Sequence, residues 1–374
     1  MARPRIDCAG HCAGARAKRS HWPALRHAVH VLHDLFTSRD YLDALERHGS
    51  VGTGTGWTPL PELRAPTYLK THSWGEFVFD FQIAQAYAQR GLDYYPKLVC
   101  CVPYTPVPGP RLLADDDAGR TVQAEILIET ARTRGASGAH VLYPQAADAA
   151  VLEGLGWLRR EQLRYVWHNR GYADFDAFVD ALSSKRRKNI RRERRLVAER
   201  GFDIAWQRGD ALTGDDWECV YALYARTYHR RGQAPYLARG VLRDWARAFG
   251  ARMQFCTARR GNQIRAMAFF FVDGERLCGR HWGAAVDDEL LHFELCYYQG
   301  IDYAIRHRLA VFDAGVQGEH KLLRGFDPLT VPSFHWYAHA GFARAIADFY
   351  AEERGHIAAQ CRALATHSAY RERS

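Results

Sequence analysis

One run constrains this chain of 374 residues more than any other: Ile264-Arg-Ala-Met-Ala-Phe-Phe-Phe-Val272. It is too uniformly apolar to meet water on either side, so it reads as a strand covered on both faces. Asp273-Gly274 follows, a dipeptide suited to the positive φ angles of a two-residue hairpin turn. The return strand, Leu277 to Gly283, alternates, which puts Arg280 and Trp282 on one face and His281 on the other. Next comes a helix from about Glu289 to Arg308, with Asp287 or Asp288 as its N-cap. Leu290, Phe293, Tyr297, Ile301 and Ala304 recur at helical spacing as its buried stripe, bordered by Glu294 and Tyr298. A short strand, Ala310 to Ala314, leads into a glycine-bearing turn, Gly315 to Phe326. A last strand, Val331 to Tyr337, precedes a terminal helix.

The length allows two domains of ordinary size, each with its own core. Apolar content of 47% and charged content of 25% are those of a soluble globular protein. No apolar run is long enough to cross a bilayer, and nothing near Met1 resembles a secretory core. Several of the nine cysteines (Cys100, Cys101, Cys256, Cys278) sit inside strand-like apolar runs. That favours reduced, buried thiols and a cytoplasmic protein over a disulfide framework. Cys8 and Cys12 bracket His11 but no second pair completes a zinc site, so no metal is expected. Residues 1–35 read as an N-terminal extension, rich in Arg and His, with Leu25, Val29, Leu32 and Phe36 on one helical face.

From Pro66 the pattern is regular. Thr67 to Lys70 is a strand, and Phe77 to Arg90 a helix turning Phe77, Phe81, Ala84 and Tyr87 or Ala88 inward, ended by Gly91. Lys97 to Pro103 is a buried strand, followed by a rigid proline loop ending at Arg111. A helix (about 121–134), a strand (139–143), a short helix (about 146–155) and a strand (about 163–168) complete this unit. The element order mirrors the second half, and His72-Ser-Trp-Gly75 echoes His281-Trp-Gly283. The reading is an internal duplication with its boundary near Gly171, giving domains 36–170 and 171–374. Between Trp57 and Thr67 the first domain is short of strand, so its sheet is expected to be truncated.

Charge is concentrated in one helix, residues 183–200. Lys185 to Arg200 holds nine Lys or Arg against two Glu, most of the molecule's net charge of +9. Phe178, Leu182, Ile190 and Val197 give this region one packed face. Its exterior is either a solvated surface or a phosphate site on which Lys185, Arg187, Arg191 and Arg194 bind RNA, a nucleotide-linked precursor or coenzyme A. No nucleic-acid motif accompanies it, so contact with RNA would be to the backbone.

Hairpin, helix, strand, glycine-bearing turn with Glu and Lys, strand: this order resembles the core of the acyl-CoA N-acyltransferase fold. The segment Asp313-Ala-Gly-Val-Gln-Gly-Glu-His-Lys-Leu-Leu-Arg-Gly-Phe326 is similar to the strand-end signature of its FemAB-like branch. Phe175 to Arg195, His72-Ser-Trp-Gly-Glu-Phe77 and Tyr94-Tyr-Pro-Lys97-Leu extend the likeness to a bacterial subgroup described as peptidoglycan biosynthesis or recognition proteins. The resemblance spans roughly residues 36–349. It implies an α/β (α+β) fold of two tandem N-acyltransferase-like domains, each with a mixed central sheet flanked by helices. It also implies an N-acyltransferase acting on an amine, such as that of a peptidoglycan precursor. The alternative is a non-catalytic protein recognising a phosphate-bearing ligand or RNA through its cleft and basic helix.

Acyl transfer to an amine needs a neutral amine, a stabilised tetrahedral oxyanion and a protonated leaving group. The residues expected to supply these are Glu294, Glu319 and Lys321, lining one cleft beyond the strand ends with Arg280 or Arg324 reaching in. The resemblance places the matching lysine of the family in the substrate region, which singles out Lys321. Glu294 also suits a plain ion pair with an arginine, Lys321 a surface or helix-end lysine, and His292 a solvent or capping residue. Trp282 and Tyr298 are further substrate-binding candidates. In the first half, His72 and Glu76 hold the equivalent place, with Lys97 and Arg111 as additional contacts for an anionic group. Arg280-His-Trp-Gly283-Ala-Ala285 fits the letters with which acetyltransferases of this fold cradle the coenzyme A pyrophosphate, although its arginine lies on a strand. Aminoacyl-tRNA is the donor of the best-known FemAB enzymes, often with a helical arm for which no heptad insertion is found here. The donor is therefore acyl-CoA or aminoacyl-tRNA.

Overall fold

The structure, a computed structural model, describes residues 34–286, 288–316 and 318–371. The expectations placed on residues 1–33, including Cys8, His11 and Cys12, lie outside them. At the end of the expected extension, Leu35 and Phe36 are buried in the core.

The first half runs α1 (Arg39–Arg47), β1 (Trp57–Pro59), β2 (Thr67–Lys70), α2 (Phe81–Gln89), β3 (Lys97–Cys100), α3 (Asp117–Thr133), β4 (Gly138–Leu142), α4 (Ala146–Gly154) and β5 (Leu158–His168). The second begins α5 (Phe175–Asp180), α6 (Ser184–Ala198), β6 (Asp203–Arg208), α7 (Gly214–His229), α8 (Arg239–Phe249), β7 (Met253–Arg260), β8 (Gln263–Asp273) and β9 (Arg276–Ala284). It continues with α9 (Glu289–Phe293), a π turn (Glu294–Tyr298), α10 (Gln299–Arg306), β10 (Val311–Asp313), a 3-10 turn (Glu319–Arg324), β11 (Asp327–Tyr337) and α11 (Ala340–Ala365).

All eleven strands among the described residues join one mixed sheet, in the order β1-β2-β3-β4-β11-β5-β10-β9-β8-β7-β6. Only β3–β4 and β9–β10 are parallel. Each of these pairs is joined by a helical crossover, as parallel neighbours require. The two long closing strands change places. β11 pairs with β4 as well as β5, and β5 pairs with β10, so each half completes its sheet against the other. The parallel pairs align β3 with β9 and α3 with α9–α10. His72 follows β2 and not β3, so His72 and Glu76 do not hold the place of the later helix's residues. The three-letter echo of His281-Trp-Gly283 is a coincidence of composition.

β8 is covered on both faces, as its letters require. Phe255, Phe269, Phe271 and Cys278 pack under α1, α7 and α8. Cys256, Ala268, Phe270 and Leu277 pack under α5, α6 and α9–α10. The hairpin carries one irregularity with consequences: Phe269 faces His281 while Phe270 faces Gly279, so Arg280 is an extra residue in a β-bulge. The bulge breaks the alternation. Arg280 donates to the Tyr104 carbonyl, and His281 packs on Tyr224 and Phe269 on the same side. Trp282 packs on His292 on the other. Arg280 and Trp282 therefore do not share a face.

Smaller differences have local causes. Phe77 adopts φ 60°, so α2 starts four residues later than its apolar letters suggest, burying Ile83 and Tyr87 and leaving Phe81 exposed. The region before the basic helix is a separate short helix, yet Phe178, Leu182, Ile190 and Val197 are all buried as expected. At the sheet's edge β1 and β2 are short, three and four residues. Seven cysteines among the described residues are free thiols, with Cys100, Cys101, Cys256 and Cys278 buried. No helix among the described residues is long and apolar enough to cross a membrane.

Candidate functional site

Parallel pairing between β9 and β10 stops at Cys278–Asp313, while β9 continues to Ala284. Beyond that point the two strands fork. The fork forms because Asp313 ends β10 in an ion pair with Arg164 of β5 and accepts the Gly315 N–H at 3.0 Å, turning the chain away. Lys321 locks the turn by donating its Nζ to the Gly315 carbonyl at 2.6 Å. The opened strand edge leaves a cleft of ≈170 Å³, lined among others by Gly279, Trp282, His292, Cys296, Tyr297 and Ala314. Past the last β10 pair, β9 has no strand on this side, so an extended ligand could lie along it as an added strand does.

Two titratable groups at this cleft are displaced from their ordinary ranges. His292 packs its ring against Trp282 and Tyr297, with centroids 5.2 and 5.3 Å away. Burial first, then the positive surroundings of His320, Lys321 and Arg324, lower its pKa to about 4. It is a neutral imidazole at neutral pH, with a basicity below that of a free imidazole. Lys321 stands behind the cleft wall, its Nζ 5.9 Å from the Tyr297 ring centre. Burial brings its pKa down to about 7 although Asp313 pulls the other way. Tyr297 is held by a 2.8 Å hydrogen bond between its hydroxyl and His320 Nε2.

The π turn decides what the helix presents. By inserting an extra residue in the turn it carries both Glu294 and Tyr298 inward, where a regular helix would leave them at the border. Glu294 then accepts from Arg194 Nε and Nη2 at 3.1–3.2 Å and from Gln299 Nε2 at 2.9 Å. Tyr298 donates to Glu193 and accepts from Arg324 Nε at 2.9 Å, while the Arg324 guanidinium lies 3.5 Å from the Phe293 ring centre. These pairs fasten α6 to the π turn. Glu294 is thus the arginine-paired carboxylate, and Arg194 is spent inside the molecule.

Other expected site residues lie elsewhere. Glu319 is exposed and makes no part of the cleft wall. Arg280 borders the fork cleft through its place in the β9 bulge, but its guanidinium turns to the opposite side of the strand and donates to the Tyr104 carbonyl. Arg111 is fully buried, and its guanidinium donates to the carbonyls of Leu142, Pro110 and Val107 at 2.7–2.9 Å, so three of its five N–H groups hold the proline loop and the side chain is sealed from solvent. Lys97 binds Glu76 at 2.7 Å, Asp80, and Ser73 at 2.9 Å in a closed, buried cluster. Glu76, raised to about 7 chiefly by burial, faces Lys97 and Lys70 within it. Arg187 donates to the carbonyls of Asp180 and Leu182, and Arg191 pairs with Asp180. The exposed basic residues of α6 at helical spacing are instead Lys185, Lys188, Arg192 and Arg195, the last within 3.5 Å of Glu199. His72 lines a second cleft, of ≈600 Å³, which shares Tyr104 with the other side of the β9 bulge.

His292 was legible only as a first-turn residue off the apolar stripe. The sole signal for it is Trp282, an aromatic residue ten positions earlier on the one strand that packs under that turn.

A family model described as peptidoglycan biosynthesis/recognition, FemAB-like, matches residues 15–372. No curated protein matches the sequence. Among solved structures, L-PGS from Bacillus licheniformis is similar at 9% identity and TM-score 0.50, over 88% of this chain and 98% of that one. FemX is similar at 10% identity and TM-score 0.50, over 84% and 94%. At such identities the likeness is one of fold: a large mixed sheet flanked by helices, built as tandem N-acyltransferase-like domains.

Proposed function

The chain belongs to the FemAB-like peptidoglycan biosynthesis/recognition family, and from that premise we propose that it transfers an acyl or aminoacyl group from an activated donor to an amine of a peptidoglycan precursor. The observation that carries this reading is the fork between β9 and β10, where a neutral His292 faces a cleft backed by the partly protonated Lys321. The donor's extended arm would lie along the open edge of β9, its carbonyl near His292. The amine nitrogen attacks the carbonyl carbon and a tetrahedral oxyanion forms. The amine proton passes to the His292 imidazole, and the bond to the leaving sulfur or ribose oxygen breaks. That proton then goes to the leaving group. Lys321 in its charged form favours the developing oxyanion from behind the wall, a preset electrostatic contribution. Trp282 and Tyr297 orient the imidazole and keep water from it.

The donor is acyl-CoA or aminoacyl-tRNA. The exposed face of Lys185, Lys188, Arg192 and Arg195 on α6 suits a polyphosphate and supports the second. Transfer is measured by mass spectrometry with a UDP-linked muropeptide as acceptor and each donor in turn. His292→Gln is expected to lower turnover by about 10²–10⁴, the usual weight of a general base, with the fold intact by circular dichroism. Full turnover in that variant would remove His292 from the chemistry, and no transfer from either donor would remove the reaction.

A further inference from the structure

The ≈600 Å³ cleft on the far side of the β9 bulge has a composition unlike the fork. Trp57, Trp74, Tyr104, Tyr221 and Tyr236 supply most of its side-chain wall, with Gln233 and His72 as its large polar members. The rings are fixed. Tyr104 and Tyr236 stack with centroids 4.7 Å apart and planes within 14°. The Tyr104 hydroxyl is spent on the Ser50 carbonyl at 2.7 Å, and the Tyr221 hydroxyl on that of Leu237 at 3.3 Å. Trp57 and Tyr104 are buried within this wall, so the rings left open to a ligand are chiefly those of the partly buried Tyr236 and the exposed Trp74.

Among the described residues, no Lys, Arg, Asp or Glu lines this cleft. The His72 pKa is lowered by burial and then by Lys70, and its two nitrogens are engaged by the Thr55 carbonyl and the Trp74 N–H. Lys70 itself is sealed beneath the wall, Nζ 3.5 Å from the Trp57 ring centre, donating to the Trp74 carbonyl. A phosphate or a free carboxylate entering here would lose water and find no cationic side chain in the described wall, because Lys70 lies beneath the Trp57 ring and Arg239 lies on the Tyr221 ring, 4.8 Å from its centre. A ring with flat C–H faces and neutral hydroxyls would not: its faces stack on the aromatic walls and its hydroxyls reach Gln233 and backbone groups. The volume is that of a small-molecule site.

The aromatic surface continues beyond the lip. Trp74 is 51% exposed and contacts Phe81 at 5.2 Å, which contacts Phe79 at 6.4 Å; Phe81 and Phe79 are 40% and 49% exposed. Large apolar side chains exposed in a row beside a cleft mark a recognition surface. A peptidoglycan has a glycan and a peptide part, and this cleft suits the first. We propose that it binds a pyranose ring of the acceptor's glycan between Tyr236 and Trp74, with Phe81 and Phe79 meeting the rings that follow. The identification of the ring as glycan rests on the acceptor reading above.

Binding is measured by tryptophan fluorescence and calorimetry on the full chain without any donor, so failure of acyl transfer leaves this test standing. The probes are N-acetylglucosamine, its β-1,4-linked tetramer, uridine diphosphate and a short peptide with free carboxylates. The sugars are expected to bind saturably, the tetramer more tightly. Trp74→Ala and Tyr236→Ala are each expected to weaken the monosaccharide tenfold or more, and Phe79→Ala to weaken only the tetramer. Both Trp74 and Phe79 are exposed, so unchanged melting temperatures are expected alongside. Absence of saturable sugar binding at tens of millimolar, undiminished binding by Trp74→Ala, or preferential binding of uridine diphosphate or the peptide would each overturn the proposal.

Discussion

Replacing Lys321 with methionine tests the electrostatics of the fork directly, because methionine keeps most of the volume and cannot be charged. Burial lowers the Lys321 pKa from 10.5 to about 7 in the folded protein. Between those two values the unfolded chain holds a proton that the folded chain lacks. Stability contributed by this group therefore rises with pH across the window, by at most about 1.4 kcal/mol per pH unit. It levels off below pH 7, where both states are protonated, and above pH 10.5, where neither is. From pH 7 to pH 9 the expected gain is about 2 kcal/mol, because titration is half complete at the lower end. Lys70 is also lowered to about 7 by burial and adds a slope of the same sign. The difference between the parent and Lys321→Met removes that shared contribution. Urea unfolding at pH 7, 8 and 9 should show the parent gaining about 2 kcal/mol on the variant over the range. Parallel curves would mean that the ammonium is solvated in the folded state, and the argument for a charge-poised fork would fail with it.

Arg194→Ala leaves Glu294, only 3% exposed, with Gln299 alone, and should destabilise the protein by on the order of 3 kcal/mol in urea. Lys185→Gln, Lys188→Gln and Arg192→Gln lie on the solvent face and should each stay within about 0.5 kcal/mol. If tRNA binds there, the three together should reduce the slope of log affinity against log salt by about 3; an unchanged slope would return the face to solvent. Gly283→Ala drives a Cβ into the Leu223 carbonyl of α7, so a loss of about 1–3 kcal/mol is expected in thermal unfolding. An unaffected melting temperature would show that Gly283 is free for a ligand turn, as its letters first suggested.

What the sequence disclosed and what it withheld divide along a physical line. The strand Ile264 to Val272 was legible because burial on both faces demands apolar letters, and the run supplies them everywhere but at the partly buried Arg265. The bulge at Arg280 and the π turn at Glu294 were not legible. Each inserts one residue without altering any letter, and each sends every polar side chain after it to another face. Arginine pairing was hidden for a different reason. Arg194 and Glu294 are a hundred positions apart, and a chain with this many arginines offers each carboxylate many equal partners. The same limit bears on the duplication. We read 36–170 and 171–374 as two copies of one unit because both contain a parallel pair closed by a helical crossover. The copies differ where a ligand would enter. In the second, the pair opens after Asp313. In the first, the proline loop returns, Gly109 bridges to Pro144, and Arg111 ties the loop to the last carbonyl of β4. The guanidinium that suggested an anion site is what closes that fork, so among the described residues the first parallel pair is closed and the second is open.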